Sequence, residues 1–198
     1  MPRLTSDPGI SLDGFIAGPD QSQEHPLGLG GENLHRWMFE EPDQHSAERE
    51  AITEASAYIM GRNMFASGRG EWDLDWKGWW GDDPPYHGPV FVLTHYEREP
   101  VEMQGGTTFH FVTSGPEEAL RLATEAAGDG SISIAGGAST INQFLRAGYI
   151  DELRLHVAPI VLGSGEPLFR DLKGLSFEVA SSRSTALVTH VTLRRTTE

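Results

Sequence analysis

The stretch Ile132-Ser133-Ile134-Ala135-Gly136-Gly137-Ala138-Ser139-Thr140 restricts this chain more than any other. An apolar strand runs into a diglycine, and small hydroxyl residues then open a helix. Glycine lets the backbone come close to a bulky anion. The free N–H groups of a first helical turn point at that anion, with the helix dipole behind them. Ser139 and Thr140 add hydroxyl donors. The same run also reads as a tight strand-to-helix turn with Ser139 as its cap. It is neither a Rossmann fingerprint nor a P-loop, because G-x-G-x-x-G and G-K-[ST] are both absent.

Such a device matters because the chain is acidic. Its 15 Lys+Arg stand against 29 Asp+Glu, a formal charge of −14. A uniformly acidic surface repels nucleic acid, so no nucleic-acid partner is expected, and any anionic ligand must be caught locally. The chain has no cysteine, which removes disulfides, thiolate zinc sites, iron–sulfur clusters and a cysteine nucleophile. No apolar run approaches the ~20 residues of a membrane span, and the start lacks the long apolar run of a signal peptide. A cytoplasmic protein is expected. The 198 residues fit one domain, 1–198, with a sizeable core.

Along the chain, strand and helix signals alternate. Residues 4–12 read as a first strand, with Pro8 and Gly9 arguing for an edge or a bulge. Residues 33–40 and 45–56 read as helices. Strands follow at 57–60, 89–94 and 108–112. Ser114-Gly115-Pro116-Glu117 predicts a helix start, with serine as cap, proline at the first position and Glu117 completing a capping box. That helix stops at Gly128. Residues 131–135 form a strand, 139–147 a helix, and 151–162 a long strand. Residues 177–182 and 187–194 predict a closing antiparallel pair by their alternation. The sum is an α/β domain around a mixed sheet. Two Pro/Gly-dense stretches, 18–31 and 68–89, predict long surface excursions.

Other residues could carry chemistry. In Met60-Gly61-Arg62-Asn63, Arg62 follows a strand, where α/β sheets bind ligands, or is a surface arginine at a turn. Thr94 and His95 stand just past another strand and could face the same ligand, or simply be polar loop residues. Asp13 is a turn aspartate or a carboxylate at the mouth of a cleft. Trp72, Trp76, Trp79, Trp80 and Tyr86 could stack a flat heterocycle, form a lid or make an oligomer contact. The eight histidines are scattered without a tight ligand pair, so no metal site is expected. No G-x-S-x-G occurs, and Gly163-Ser164-Gly165 reads as a turn.

These pieces, in this order, resemble a known family. Its signatures are Ser11-Leu12-Asp13-Gly14-Phe15-Ile16-Ala17-Gly18, then Gly61-Arg62, then Ala135-Gly136-Gly137-Ala138-Ser139-Thr140. Leu145-Arg146-Ala147-Gly148-Tyr149-Ile150-Asp151-Glu152-Leu153 and residues 158–169 follow. The chain resembles a stand-alone member of the dihydrofolate-reductase-like superfamily. It is most similar to the C-terminal reductase domain of the bifunctional deaminase-reductase of riboflavin biosynthesis.

The resemblance implies a three-layer α/β fold with a mixed, mostly parallel sheet and a C-terminal antiparallel strand pair. It also implies NADPH and hydride transfer to a small heterocyclic or carbonyl substrate, the leading specific reaction being that of the 5-amino-6-(5-phosphoribosylamino)uracil type. Gly136, Gly137, Ala138, Ser139 and Thr140 would hold the diphosphate. Gly61, Arg62 and Asn63 would sit by the phosphates and adenosine ribose. Thr94 and His95 would lie near the 2′-phosphate. His95 stands where this superfamily often has an arginine, so NADH remains the alternative. Ile16 and Ala17 would flank the nicotinamide. Asp13 is the candidate catalytic residue facing the substrate, and Trp37 and Phe39 are expected to line the pocket. Glu40 and Glu41 lie near where dihydrofolate reductases carry their carboxylate. No deaminase can reside here, since its zinc site needs cysteines. A homodimer is expected, as the family tends to pair. The rival reading is a non-catalytic nucleotide- or small-molecule-binding module on the same fold.

Overall fold

The computed structural model describes residues 2–68 and 70–196. The chain opens with β1 (Leu4–Ser6), β2 (Gly9–Ile10) and β3 (Phe15–Ala17). Two short helices follow, α1 (Arg36–Glu40) and α2 (Ser46–Thr53). Next come β4 (Ala57–Gly61), α3 (Arg62–Phe65), β5 (Pro89–Leu93), β6 (Val101–Glu102), β7 (Thr108–Val112) and α4 (Pro116–Ala127). The remainder is β8 (Ile132–Gly136), α5 (Ala138–Arg146), β9 (Glu152–Val157), β10 (Glu166–Pro167), β11 (Phe177–Ser184) and β12 (Thr189–Arg195).

Ten strands form one sheet in the order β11-β12-β9-β1-β8-β4-β5-β7-β6, with β2 extending the β1 position along β9. The centre is parallel: β9, β1, β8, β4, β5 and β7 all run the same way. Antiparallel strands close both sides, β12 and β11 on one and β6 on the other. β3 and β10 make a separate antiparallel pair. The expected α/β architecture is present, with its closing pair as β11 and β12.

Local details depart from expectation for physical reasons. The first strand is neither an edge nor continuous. β1 lies between β8 and β9, and the break falls at Asp7-Pro8, where proline has no N–H to give. The chain keeps its place by offering the Pro8 carbonyl to the His156 N–H at 3.1 Å. The α4 cap is Gly115, at φ 94°, and no side chain caps the helix, so the Ser114–Glu117 capping box does not form. Its packing instead rests on Ala119, Ala123 and Ala127, spaced one helical turn apart and buried. β9 stops at Val157 because its parallel neighbour β2 ends opposite it, at Ile10.

The sheet separates two cores. One face carries Leu4, Ile59, Ile132, Ile134 and Leu153 under α4 and α5. The other carries Tyr58, Met60, Val90, Val92 and Phe109, covered by Phe65, Trp72, Trp76, Trp80 and Tyr86. The tryptophan-rich excursion is thus folded onto the sheet as its second cover. Trp80 stacks on Phe109 at 5.7 Å and Trp72 meets Phe111 edge-on at 5.0 Å. Trp79 leans on Trp76 at 4.4 Å.

Candidate functional site

The C-terminal ends of β8 and β4 meet at a groove opened by glycine. β8 runs into Gly136, and Gly137 is the N-cap of α5 with no side-chain cap bond. The Gly136–Gly137 peptide is cis. The first backbone bond of α5 runs from the Ile141 N–H to the Gly137 carbonyl at 3.1 Å. The amides of Ala138, Ser139 and Thr140 therefore precede the helical ladder and point out of its end. A Cβ built on Gly137 meets nothing within 4 Å, so this end of the helix faces open space. Ser139 is exposed there and Thr140 is buried. The cap is Gly137 rather than Ser139, because the helix begins one residue before the serine.

Gly61 ends β4 directly beside this turn, with Thr140 Oγ1 and the Gly136 carbonyl as its neighbours. The structure therefore brings together Gly61, Gly136, Gly137, Ala138, Ser139 and Thr140. Arg62 starts α3 but is engaged by the loop at residues 70–72. Its guanidinium donates to the Gly70 and Glu71 carbonyls and lies 4.0 Å over the Trp72 ring. Its Nε is buried without a partner among the described residues. Asn63 is exposed on α3. Thr94 follows β5, the neighbour of β4. Its buried hydroxyl accepts the Tyr96 N–H at 3.1 Å, and His95 beside it is exposed. A hollow of about 480 Å³ lined by Glu97, Arg98, Glu99, Phe111 and Thr113 lies three strands along from β8, apart from the diglycine groove.

Ile16 and Ala17 sit in β3, where Ala17 pairs with Glu166 of β10. The strand pair is tied to α5 by Asn142, a residue sequence reasoning passed over. Its Nδ2 donates to the Pro167 carbonyl at 3.3 Å, and its Oδ1 accepts the Arg170 N–H at 3.2 Å. A polar residue on the buried stripe of α5 was the available signal.

Asp13 has a structural task. Its carboxylate accepts hydrogen bonds from Ser11 Oγ at 2.6 Å, the Leu162 N–H at 3.1 Å and the Gly163 N–H at 2.7 Å. The Ser11 hydroxyl above all, then these amides, hold it below the ordinary carboxylate pKa. The group is an ionised clamp between two loops, a poor source of protons at neutral pH.

The structure places the two pocket candidates of α1 on opposite sides of that helix. Trp37 is 1% exposed, with its ring 4.9–5.1 Å from those of His45, His156 and His190. Phe39, two positions on and so on the opposite side of the short helix, is 79% exposed. Glu40 is taken by Arg36 at 2.6 Å, and Glu41 accepts His45 Nε2 at 3.3 Å.

The histidines are less scattered than the sequence suggests. His156 Nδ1 is 2.7 Å from His190 Nδ1, and His190 Nε2 is 2.9 Å from His45 Nδ1. Burial pushes His156 down to about 3 and His190 down to about 4, so both rings are neutral at pH 7. Cross-strand register pairs His156 with His190, and a distant turn delivers His45.

Among the described residues no helix is long and apolar enough to cross a membrane. The chain is 28% identical over 182 residues to the uncharacterized protein YyaP of Bacillus subtilis (strain 168), across 86% of this chain and 82% of that one. It is similar to the crystal structure of a candidate riboflavin biosynthesis protein from Shewanella sp. PV-4. That likeness has 27% identity and a TM-score of 0.69, and covers 98% of this chain and 99% of the other. Dihydrofolate reductase from Enterococcus faecalis, complexed with NADP(H), shares the fold at 14% identity and a TM-score of 0.57, over 98% of this chain and 96% of that one. Residues 2–193 match the family described as the RibD C-terminal domain, and the chain belongs to that family.

Proposed function

We propose that this chain is an NAD(P)H-dependent oxidoreductase that delivers hydride to a small heterocyclic substrate. NADPH is the preferred donor and NADH the alternative. The specific substrate class is an aminopyrimidine of the 5-amino-6-(5-phosphoribosylamino)uracil type. The observation that carries the reading is the uncapped first turn of α5 facing open space across Gly137. A helix end of this kind holds a diphosphate without any basic side chain, which suits an acidic protein. The family and the Shewanella relative's description in riboflavin terms support the same reading.

In this reading the amides of Ala138, Ser139 and Thr140 bind diphosphate oxygens. Gly61 and Gly136 keep the groove free of side chains. Arg62, Asn63, Thr94 and His95 stand on the adenosine side. Ile16 and Ala17 border the nicotinamide from β3. The cofactor supplies the hydride when bound; the residues bind, orient and exclude water.

The second reading, a binding module without turnover, is favoured by one observation. The carboxylates of Asp13, Glu40 and Glu41 are all committed to other partners. The test is thermal unfolding with NADPH and NADH, then NADPH oxidation in the presence of aminopyrimidines, with Gly137→Asp alongside. A ligand that binds only the folded state raises the Tm by mass action. A Tm rise lost in Gly137→Asp, with turnover, supports the reductase. A Tm rise without turnover on any substrate class supports the module. No shift with either nucleotide at millimolar concentration refutes the reductase and a nucleotide-binding module alike.

A homodimer belongs to the same proposal. The β11 edge, eight residues long with Val179 65% exposed, is the surface a second copy would use. Sedimentation measures it directly.

A further inference from the structure

We propose that His45, Glu48 and His190 form a binding site for one divalent cation of zinc's class, which Arg183 covers when no metal is bound. His45 ends the turn before α2, Glu48 lies in α2 and His190 in β12, and one donor atom from each falls within 4.8 Å of the others. Two imidazoles and a carboxylate are the donor set that suits zinc or cobalt, not the all-oxygen shell of calcium or magnesium.

Three further observations point to a cation. First, both histidines have their second ring nitrogen held. His45 Nε2 is 3.3 Å from Glu41 Oε2, and His190 Nδ1 is 2.7 Å from His156 Nδ1. This is the outer-shell arrangement that fixes a ligating imidazole, and it leaves His45 Nδ1 and His190 Nε2 turned toward each other. They are 2.9 Å apart, close to the roughly 3.3 Å that separates two nitrogens on a tetrahedral zinc. Second, Glu48 Oε2 is buried with no hydrogen-bond partner among the described residues. Its other oxygen is taken by Arg183. Third, the Trp37 ring packs 4.9–5.1 Å from the rings of His45 and His190, so the site has an apolar wall on that side.

Arg183 occupies the lone pairs a metal would use. Its Nη2 is 2.7 Å from Glu48 Oε1 and 3.1 Å from His45 Nδ1. It reaches in from β11, the outer strand, and its side chain is 43% exposed. Metal binding would require it to leave Glu48, His45 and the Gln44 carbonyl, to which its Nη2 also donates at 3.0 Å. With Arg183 in place, the Glu48 carboxylate is paired with its positive charge, and the Glu41 carboxylate meets only His45. With Arg183 displaced, a divalent cation balances both. The donors come from the turn before α2, α2 and β12, away from the diglycine groove, so this proposal is independent of the proposed reductase activity.

The experiment titrates the metal-free full-length protein with Zn2+ by calorimetry and with Co2+ by visible absorption, without nucleotide. The expected result is one equivalent bound, with Co2+ bands of tetrahedral intensity, lost in His45→Gln and His190→Gln. Glu41→Gln should weaken binding about tenfold, as removal of an outer-shell partner does. Arg183→Met, an exposed change that leaves the donors intact, should tighten it several-fold. That variant keeps the test decisive if a histidine variant fails to fold. Binding that survives His190→Gln, an absence of binding in both wild type and Arg183→Met, or an affinity unchanged by Arg183→Met overturns the proposal. The cluster is then a hydrogen-bonded network permanently closed by its arginine.

Discussion

Gly61 packs against Thr140 with no room for a side-chain carbon between them. A Cβ on Gly61 would run into Thr140 Oγ1. Gly61 itself has φ −82° and ψ 157°, an extended conformation open to any residue, so the demand for glycine is steric. Thr140 is 4% exposed in the first turn of α5 and has little freedom to yield. Gly61→Ala should destabilise the protein by about 1–3 kcal/mol, the usual cost of overpacking. The Gly61→Ala/Thr140→Ala double variant should recover most of that loss. Urea unfolding of the four proteins measures the coupling.

Asn142 joins α5 to the β3–β10 pair. It is 6% exposed, and its amide satisfies both the Pro167 carbonyl and the Arg170 N–H. Asn142→Leu keeps the shape and leaves two backbone groups without partners, at about 1–3 kcal/mol each where buried. The loss should be local. Amide exchange at Ala17 and Leu168 should speed up, while Ile134 in β8 stays protected.

What was legible in the sequence was local. The diglycine followed by small residues specifies a strand, a turn and a helix from adjacent positions, and β8 and α5 appear within one residue of expectation. Gly61 was legible for the same reason. Asp13 was not, because its amide partners at Leu162 and Gly163 lie 149 and 150 residues away. Nor was the histidine cluster, in which His45 meets His190 across 145 residues. Local signals also misled where two competed. Ser114 is a good cap by type, yet Gly115 at positive φ takes the cap position and leaves the serine outside. Trp37 and Phe39 are close in sequence, and the short helix sends them to opposite sides, one buried and one exposed.

The Asp13 clamp makes a prediction in pH. Its folded pKa is depressed, first by Ser11 and then by the amides of Leu162 and Gly163. A carboxyl that is a stronger acid when folded stabilises the protein at pH values above its unfolded pKa of about 3.9, and that contribution is lost as pH falls through the folded value. Asp13→Asn should therefore be less stable than wild type at pH 7. The gap should start to shrink as pH falls below about 4 and close only once pH passes the lower folded value, where both proteins carry an uncharged group. Urea midpoints at pH 7 and pH 3 check this. If Asp13 is only a clamp, turnover by Asp13→Asn should keep the wild-type pH profile.

Arg62 pins the excursion that covers the second core. Its guanidinium lies 4.0 Å from the Trp72 ring centroid and donates to two carbonyls of the adjoining loop. Lysine keeps the charge but cannot stack a plane and fork to two acceptors at once. Arg62→Lys should lose the stacking term, about 0.5–2 kcal/mol for a cation over an aromatic face, and free the loop. Proteolysis between residues 70 and 80 should accelerate. The same substitution removes a guanidinium assigned to the phosphates and adenosine ribose, which both nucleotides carry, so NADPH and NADH affinity should fall together. A loss confined to NADPH would instead place Arg62 at the 2′-phosphate, the one group the two nucleotides do not share.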